Sequence, residues 1–308
     1  MGYYDKSTVY VRAFSCGMVK TEAPVFMDEK RKSLLALHVS SLLFGGTGLF
    51  AKLIDLPVID ITAIRTLMAS AVLFVLLKGL GRATALETSR DYMLMLLQGV
   101  LMGLHWVTFF QAIQVSSVAI GMISLFTYPI ITVFLEPLWK GKIPHLSDVL
   151  CGALVVLGVY LIMPEFSFEN SVTRGVCWGV VSAFIFSVRN VVQRSYLSGC
   201  RGDTSMMYQS FIAGICGMLF VTPEITARSL STWIKLLILA VFFTAIPHSL
   251  FAGSLRRLKA KSASLISCLQ PVYGTIYAFV ILYEVPGIPT LIGGALIVIA
   301  AVFESYRA

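Results

Sequence analysis

Positions 142 apart in this chain carry matching residues from one half to the other. Pro129 falls on Pro271, Pro144 on Pro286, and Gly152, Ala153 and Leu154 on Gly294, Ala295 and Leu296. Further up the same register, Val39 and Ser40 match Val181 and Ser182, Phe44 matches Phe186, and the cation Lys52 is mirrored by the cation Arg194. No gap is needed, and outside these landmarks the halves differ. A constant spacing with low identity marks an old duplication, so any fold must accommodate the same module twice.

Each module is built for lipid. Hydrophobic residues make up 57% of the chain and charged residues 13%, whereas a water-soluble domain carries roughly a quarter charged residues on its surface and elsewhere. Apolar stretches long enough for a helix to cross about 30 Å of hydrocarbon are expected at 33–51, 58–77, 92–113, 118–138, 146–163, 174–192, 205–222, 233–252, 263–283 and 288–306. The expected fold class is an all-α membrane protein of ten transmembrane helices in two five-helix repeats, 33–166 and 174–308. Residues 1–32 read as a disordered cytosolic tail, because charges interrupt them too often for the apolar core of a cleavable signal. The six cysteines contain no CxxC pair, and four lie inside spans, so they read as reduced packing residues.

Charge orients the spans. With the tail in the cytosol, 18 Lys and Arg residues fall on that side, 4 (Lys52, Arg174, Arg228 and Lys235) on the other, and Arg65 and Arg189 inside the membrane. That asymmetry follows the positive-inside rule and implies an even number of crossings of the cell (inner or plasma) membrane with both termini cytosolic. The formal charge of +8 is therefore topological, and no nucleic-acid partner is called for. Because five is odd, the second module enters the bilayer opposite to the first. The turn 113–119 is uncharged while its mate 255–261 holds Arg256, Arg257, Lys259 and Lys261, as an inverted repeat requires. Such repeats can exchange conformations and open a midplane site to either side in turn.

The chain resembles the EamA branch of the drug/metabolite transporter superfamily from residue 33 onward. The resemblance is carried by Phe44-Gly45 followed by Lys52, Arg65, Pro129 and Pro271, and by Gly152-Ala153-Leu154-Val155 and Gly294-Ala295-Leu296-Ile297 closing the two halves. The family's Gly-Glu pair after the fourth span is Tyr283-Glu284 in the second half and Gly141-Lys142 in the first. The resemblance implies ten helices, a central cavity lined by spans one, three, four, six, eight and nine, and transport of small organic metabolites.

An arginine in mid-span costs about 2.5–3.5 kcal/mol on insertion scales and so faces water or a partner. Arg189 lies deep in span six, on a face shared with Ser182, Phe186 and Gln193 and adjoined by Asn190, which points to a cavity; pairing with helix-end carbonyls is the alternative. Arg65 in span two fits snorkelling or a fixed structural contact equally, and its match to an arginine typical of the resembled family favours a structural role over ligand contact. His105 and His248 stand in the related spans three and eight, one position off the repeat register. They are candidates for ligand contact or for plain interhelical hydrogen bonds, with Trp106 beside His105 either stacking on a ligand or packing. Pro129 and Pro271 each free a mid-membrane carbonyl and are candidate hinges, preceded by the repeat mates Tyr128 and Gln270, which complete the substrate-binding set. Gly99 and Gly103 read as a packing motif.

No Asp or Glu falls at the centre of a span, where a proton-coupled carrier commonly buries one. Facilitated transport or exchange by alternating access is therefore expected, for an anionic or zwitterionic metabolite such as an amino acid or a nucleotide-like cofactor of the S-adenosylmethionine kind. The rivals are a channel and a membrane-embedded lipid-modifying enzyme. The enzyme would need clustered carboxylates or a histidine base, and the one close His/Asp pair, His145 and Asp148, sits at a helix end. No cofactor or metal is expected, and the partners are a small metabolite and the bilayer, with the protein a monomer or homodimer.

Overall fold

The computed structural model describes residues 24–163, 165–255, 258 and 260–307; most of the expected tail, Cys16, and the turn residues Arg256, Arg257 and Lys259 lie outside them. Every regular element among the described residues is helical. The first half holds α1 (Pro24–Thr47), the single turn α2 (Phe50–Leu53), α3 (Val58–Gly79), α4 (Ser89–Val115), α5 (Val118–Leu125), α6 (Tyr128–Trp139) and α7 (Leu146–Ile162). The second holds α8 (Ser171–Tyr196), α9 (Gly202–Met218), α10 (Leu230–Ala240), a π turn (Val241–Ala245), α11 (Ile246–Leu255), α12 (Ala260–Ser267), α13 (Gln270–Leu282) and α14 (Ile288–Arg307). Helix α1 starts nine residues before the expected span. Pro24 suits a first helical position, and the charged run Glu29 to Lys32 is made of residues that propagate a helix as readily as apolar ones.

Eight of these segments, counting α1 with α2, α5 with α6, α10 with α11 and α12 with α13 as one each, are long and apolar enough to cross a membrane. Helix α7 is shorter, at 17 residues, which spans about 26 Å at 1.5 Å per residue. Helix α9 is equally short and is diluted by Asp203, Thr204, Ser205, Gln209 and Ser210, all buried against its neighbours. Polar side chains are tolerated there because they face protein and not lipid.

Packing repeats when the halves are exchanged. Helix α4 lies along α8 as α11 lies along α1; α4 meets α9 as α10 meets α3; α6 meets α8 as α13 meets α1; and α3·α9 and α7·α14 are their own mates. The pattern extends to single bonds. Ser182 Oγ donates to the His105 carbonyl and Ser40 Oγ to the Pro247 carbonyl, both at 2.8 Å, a match at the 142-residue offset in both partners.

The fourth and ninth segments are broken at corresponding places. Helix α5 gives way to α6 around Phe126–Thr127 and α12 to α13 around Cys268–Leu269, with Pro129 and Pro271 in the first turn of the second piece. A proline there removes an N–H that the break has already orphaned. Gly45 of α1 reaches this region in the second half: a Cβ on it would lie 2.7 Å from Tyr273 Cβ and 3.0 Å from the Gln270 carbonyl, so only glycine permits the approach. Gly99 and Gly103 likewise abut Ile212 and Ala213 of α9; the motif packs two helices together.

Candidate functional site

Trp106 and Phe110 are one turn apart on α4 and present their rings to α3. Between them lies Arg65, fully buried, its guanidinium carbon 4.7 Å from the Trp106 ring and 4.6 Å from that of Phe110. One terminal nitrogen, Nη1, donates to Thr244 Oγ1 at 3.2 Å. Thr244 sits in the π turn, which places its hydroxyl so that it also donates to the Leu239 carbonyl at 2.9 Å; π turns interrupt helices most often where a site is built. The remaining edge of the guanidinium, Nε and Nη2, has no hydrogen-bond partner among the described residues. That edge is the planar pair of donors that matches the two oxygens of a carboxylate or phosphate.

Arg189 of α8 uses the same edge differently. Its Nε and Nη2 both donate to Gln209 Oε1, at 3.0 and 2.7 Å, while Nη1 donates to Asn190 Oδ1 at 2.9 Å. Gln209 in turn donates to Ser205 Oγ at 2.6 Å and to Gln193 Oε1 at 3.3 Å, and Gln193 Nε2 donates to the Leu197 carbonyl. Gln98 of α4 reaches the Arg189 carbonyl at 3.0 Å. The described ion pairs include neither Arg65 nor Arg189, so both positive charges are met by neutral groups and ring faces.

His105 Nδ1 lies 2.8 Å from Ser182 Oγ and 3.2 Å from the Ser182 carbonyl, and its ring stacks on Phe186 at 4.5 Å. The Ser182 hydroxyl proton is committed to the His105 carbonyl, so Nδ1 carries hydrogen and Nε2 is left as the acceptor. His248 Nδ1 faces the Thr244 carbonyl at 2.7 Å, which can only accept, and the same tautomer follows. Phe44, the repeat mate of Phe186, meets His248 edge-on at 4.6 Å. Each half thus lays a phenylalanine against a histidine of the other.

Ring contacts join Arg65 to Trp106 and Trp106 to His248, and join His105 through Phe186 to Arg189, which reaches Asn190 directly and Gln193 through Gln209; the Phe186 ring also meets Tyr128 edge-on at 5.0 Å and lies 5.9 Å from the Arg189 guanidinium carbon. Gln270 is set apart at the start of α13, its carbonyl against Gly45. Sequence reasoning passed over Gln209 and Ser205, four residues apart on α9, and Thr244. The available signal for Gln209 and Ser205 was their four-residue spacing, which puts both on one face of a helix; Thr244 offered none. His145 and Asp148 form a helix cap, the Asp148 carboxylate accepting from the His145 N–H at 2.7 Å. An open depression of about 370 Å³, lined by Ser116, Ser117, Ser171 and Pro286 among others, contains none of the arginines or histidines.

At one end of the bundle the turn between α4 and α5 is gripped from both sides. Lys52 Nζ donates to the Ser116 and Gln114 carbonyls at 2.8 and 3.3 Å, and the Glu284 carboxylate accepts from the Val118 N–H at 2.9 Å. A cation on a helix C-terminus and an anion on the next N-terminus both oppose the helix dipoles favourably. Asp60 accepts from Thr222 nearer the same end, and at the opposite end Asp203 accepts from Arg82 at 2.7 Å and Arg201 at 2.8 Å.

The model of the EamA-like transporter family matches residues 31–163 and again 173–306. The chain belongs to that family. Among its relatives, a Bacillus subtilis (strain 168) protein described as "Uncharacterized transporter YxxF" is 22% identical over 291 residues, covering 90% of this chain and 92% of its own. An Archaeoglobus fulgidus protein described as "Uncharacterized transporter" is 22% identical over 273 residues, covering 88% and 95%. A solved structure described as "Crystal structure of protein" superposes with a TM-score of 0.63 at 18% identity, covering 90% of this chain and 98% of that one, a likeness of fold. The protein is thus an integral, multi-pass membrane transporter, and as an EamA-like transporter it has the bilayer and a small-molecule substrate as its partners.

Proposed function

We propose that this EamA-like transporter moves a small organic anion or zwitterion across the cell membrane by alternating access, as a facilitator or exchanger. The observation that carries the reading is Arg65: a fully buried guanidinium whose two-donor edge meets no partner among the described residues. Leaving such donors unmet costs about 1–3 kcal/mol, and more for a charged group. A substrate carboxylate would recover that cost, and the imidazole Nε2 acceptors of His105 and His248 offer a place for an ammonium. The rings of Trp106, Phe110 and Phe186 would carry the substrate's apolar body. The two repeats are read as antiparallel five-helix modules, α7 and α9 completing ten crossings, with both termini cytosolic and Pro129 and Pro271 as hinges.

The test is counterflow in proteoliposomes, using a metabolite chosen because it raises the melting temperature of the purified protein. Arg189→Ala and Arg65→Ala are each expected to abolish saturable counterflow while the protein still inserts and elutes as a single species. Full counterflow in both variants would remove the arginines from the transport path, and flux that never saturates would favour a channel.

A further inference from the structure

Gln209 is buried at the centre of a polar chain, and its carbonyl oxygen receives both donors of the Arg189 edge. Two donors converging on one neutral oxygen is an incomplete form of the two-on-two pairing that a carboxylate makes with the same edge. Arg65 carries that edge with no protein partner among the described residues. The two arginines thus differ in one respect: at Arg189 an amide oxygen already occupies the seat. Resting on the reading of the site given above, we infer that Gln209 is a built-in stand-in for the substrate's carboxylate at Arg189, displaced when substrate arrives and returning when it leaves.

The surroundings are suited to such an exchange. Gln209 Nε2 is held by Ser205 and Gln193, so the amide can swing its oxygen away while its nitrogen keeps partners. A neutral oxygen binds a guanidinium more weakly than a carboxylate does, which lets the substrate win. The stand-in also keeps the empty carrier from exposing a bare buried cation, whose desolvation is costly. A glutamate at this position would bind Arg189 too well and close the seat, which accounts for an amide here and for the absence of an acid. The inference commits the site to ligands with a carboxylate-like planar anion, and their amides are excluded.

The experiment combines a ligand-free and a ligand arm on the full-length protein. In the first, the melting temperatures of the native chain, Gln209→Glu, Arg189→Met and the double variant form a cycle. Gln209→Glu is expected to raise the melting temperature when Arg189 is present and to lower it in the Arg189→Met background, where the new carboxylate is buried alone. Zero coupling overturns the inference. In the second arm, benzoate and L-phenylalanine are titrated against the same proteins, with benzamide and L-phenylalaninamide as controls. Gln209→Glu is expected to weaken the carboxylates by about tenfold or more, while Gln209→Met, which removes the competitor at similar volume, is expected to tighten them. Carboxylates weakened equally by Gln209→Met and Gln209→Glu would mean that Gln209 only positions Arg189, and would overturn the inference while leaving the reading of the site intact. Carboxylates unaffected by Arg189→Met would likewise overturn the inference and leave the Arg65 edge as the anion seat, whereas carboxylates indistinguishable from their amides in the native chain would sink that reading itself.

Discussion

Arg65 is held by one hydrogen bond to a neutral hydroxyl and by two ring faces. The bond is worth about 1.5–3 kcal/mol and each ring contact about 0.5–2 kcal/mol, against a desolvation cost of several kcal/mol for a buried charge. The sum is close to zero or unfavourable, so Arg65→Met, which keeps the volume and discards the charge, is expected to leave the melting temperature unchanged or raised while transport is lost. A purely structural arginine would behave in the opposite way, with the melting temperature falling by several degrees. Both cations were legible in the sequence because a charge inside an apolar run needs a reason. Which of them has its donors free was not legible, because that depends on Gln209 and Thr244. An uncharged polar residue in a span is cheap enough to mean nothing by itself, and a threonine carries no trace of the π turn that aims it.

Helix α13 ends on Tyr283, the one non-glycine residue among those described with a positive φ, at 57°; its repeat mate Gly141 has φ 66°. The same left-handed cap is thus kept in both halves, and the tyrosine, 84% exposed, gains no packing in return for the strain. Tyr283→Gly is expected to stabilise the protein by about 1 kcal/mol, read as a higher melting temperature in detergent; a drop would mean that the tyrosine makes a contact that outweighs its backbone. Glu284 follows directly and holds the first amide of α5, a partnership between halves that the pattern Tyr-Glu did not reveal, since nothing in the spacing says which helix a loop carboxylate will cap. The breaks in the fourth and ninth segments were foreshadowed by Pro129 and Pro271. If those breaks flex during transport, Pro129→Ala and Pro271→Ala, which remove the ring's clash with the preceding turn and let a helical hydrogen bond form across the break, stiffen the segments and slow counterflow at saturation, with the half-saturating concentration little altered. Equal turnover in native and variant proteins would assign the prolines to static shape.

Seen whole, the molecule is two copies of one module whose contacts interchange, down to the Ser40 and Ser182 bonds. The duplication and the lipid environment could be argued from spacing and composition, because both depend on sums over many residues. The departures from symmetry could not, since His248 stands one residue beyond the mate of His105 and meets Phe44 edge-on where His105 stacks on Phe186. These small differences give a two-fold frame a site with two unlike ends. Whether the modules lie antiparallel is decided at the turns that follow their fourth segments. Ile143 and Val285 are repeat mates, 88% and 77% exposed, in the turns after α6 and α13. Single cysteines at these positions, on a background free of other thiols, would be labelled with a membrane-impermeant maleimide in intact cells and in inverted vesicles. Val285→Cys is expected to react only in intact cells and Ile143→Cys only in inverted vesicles; reaction of both from the same side would show parallel modules.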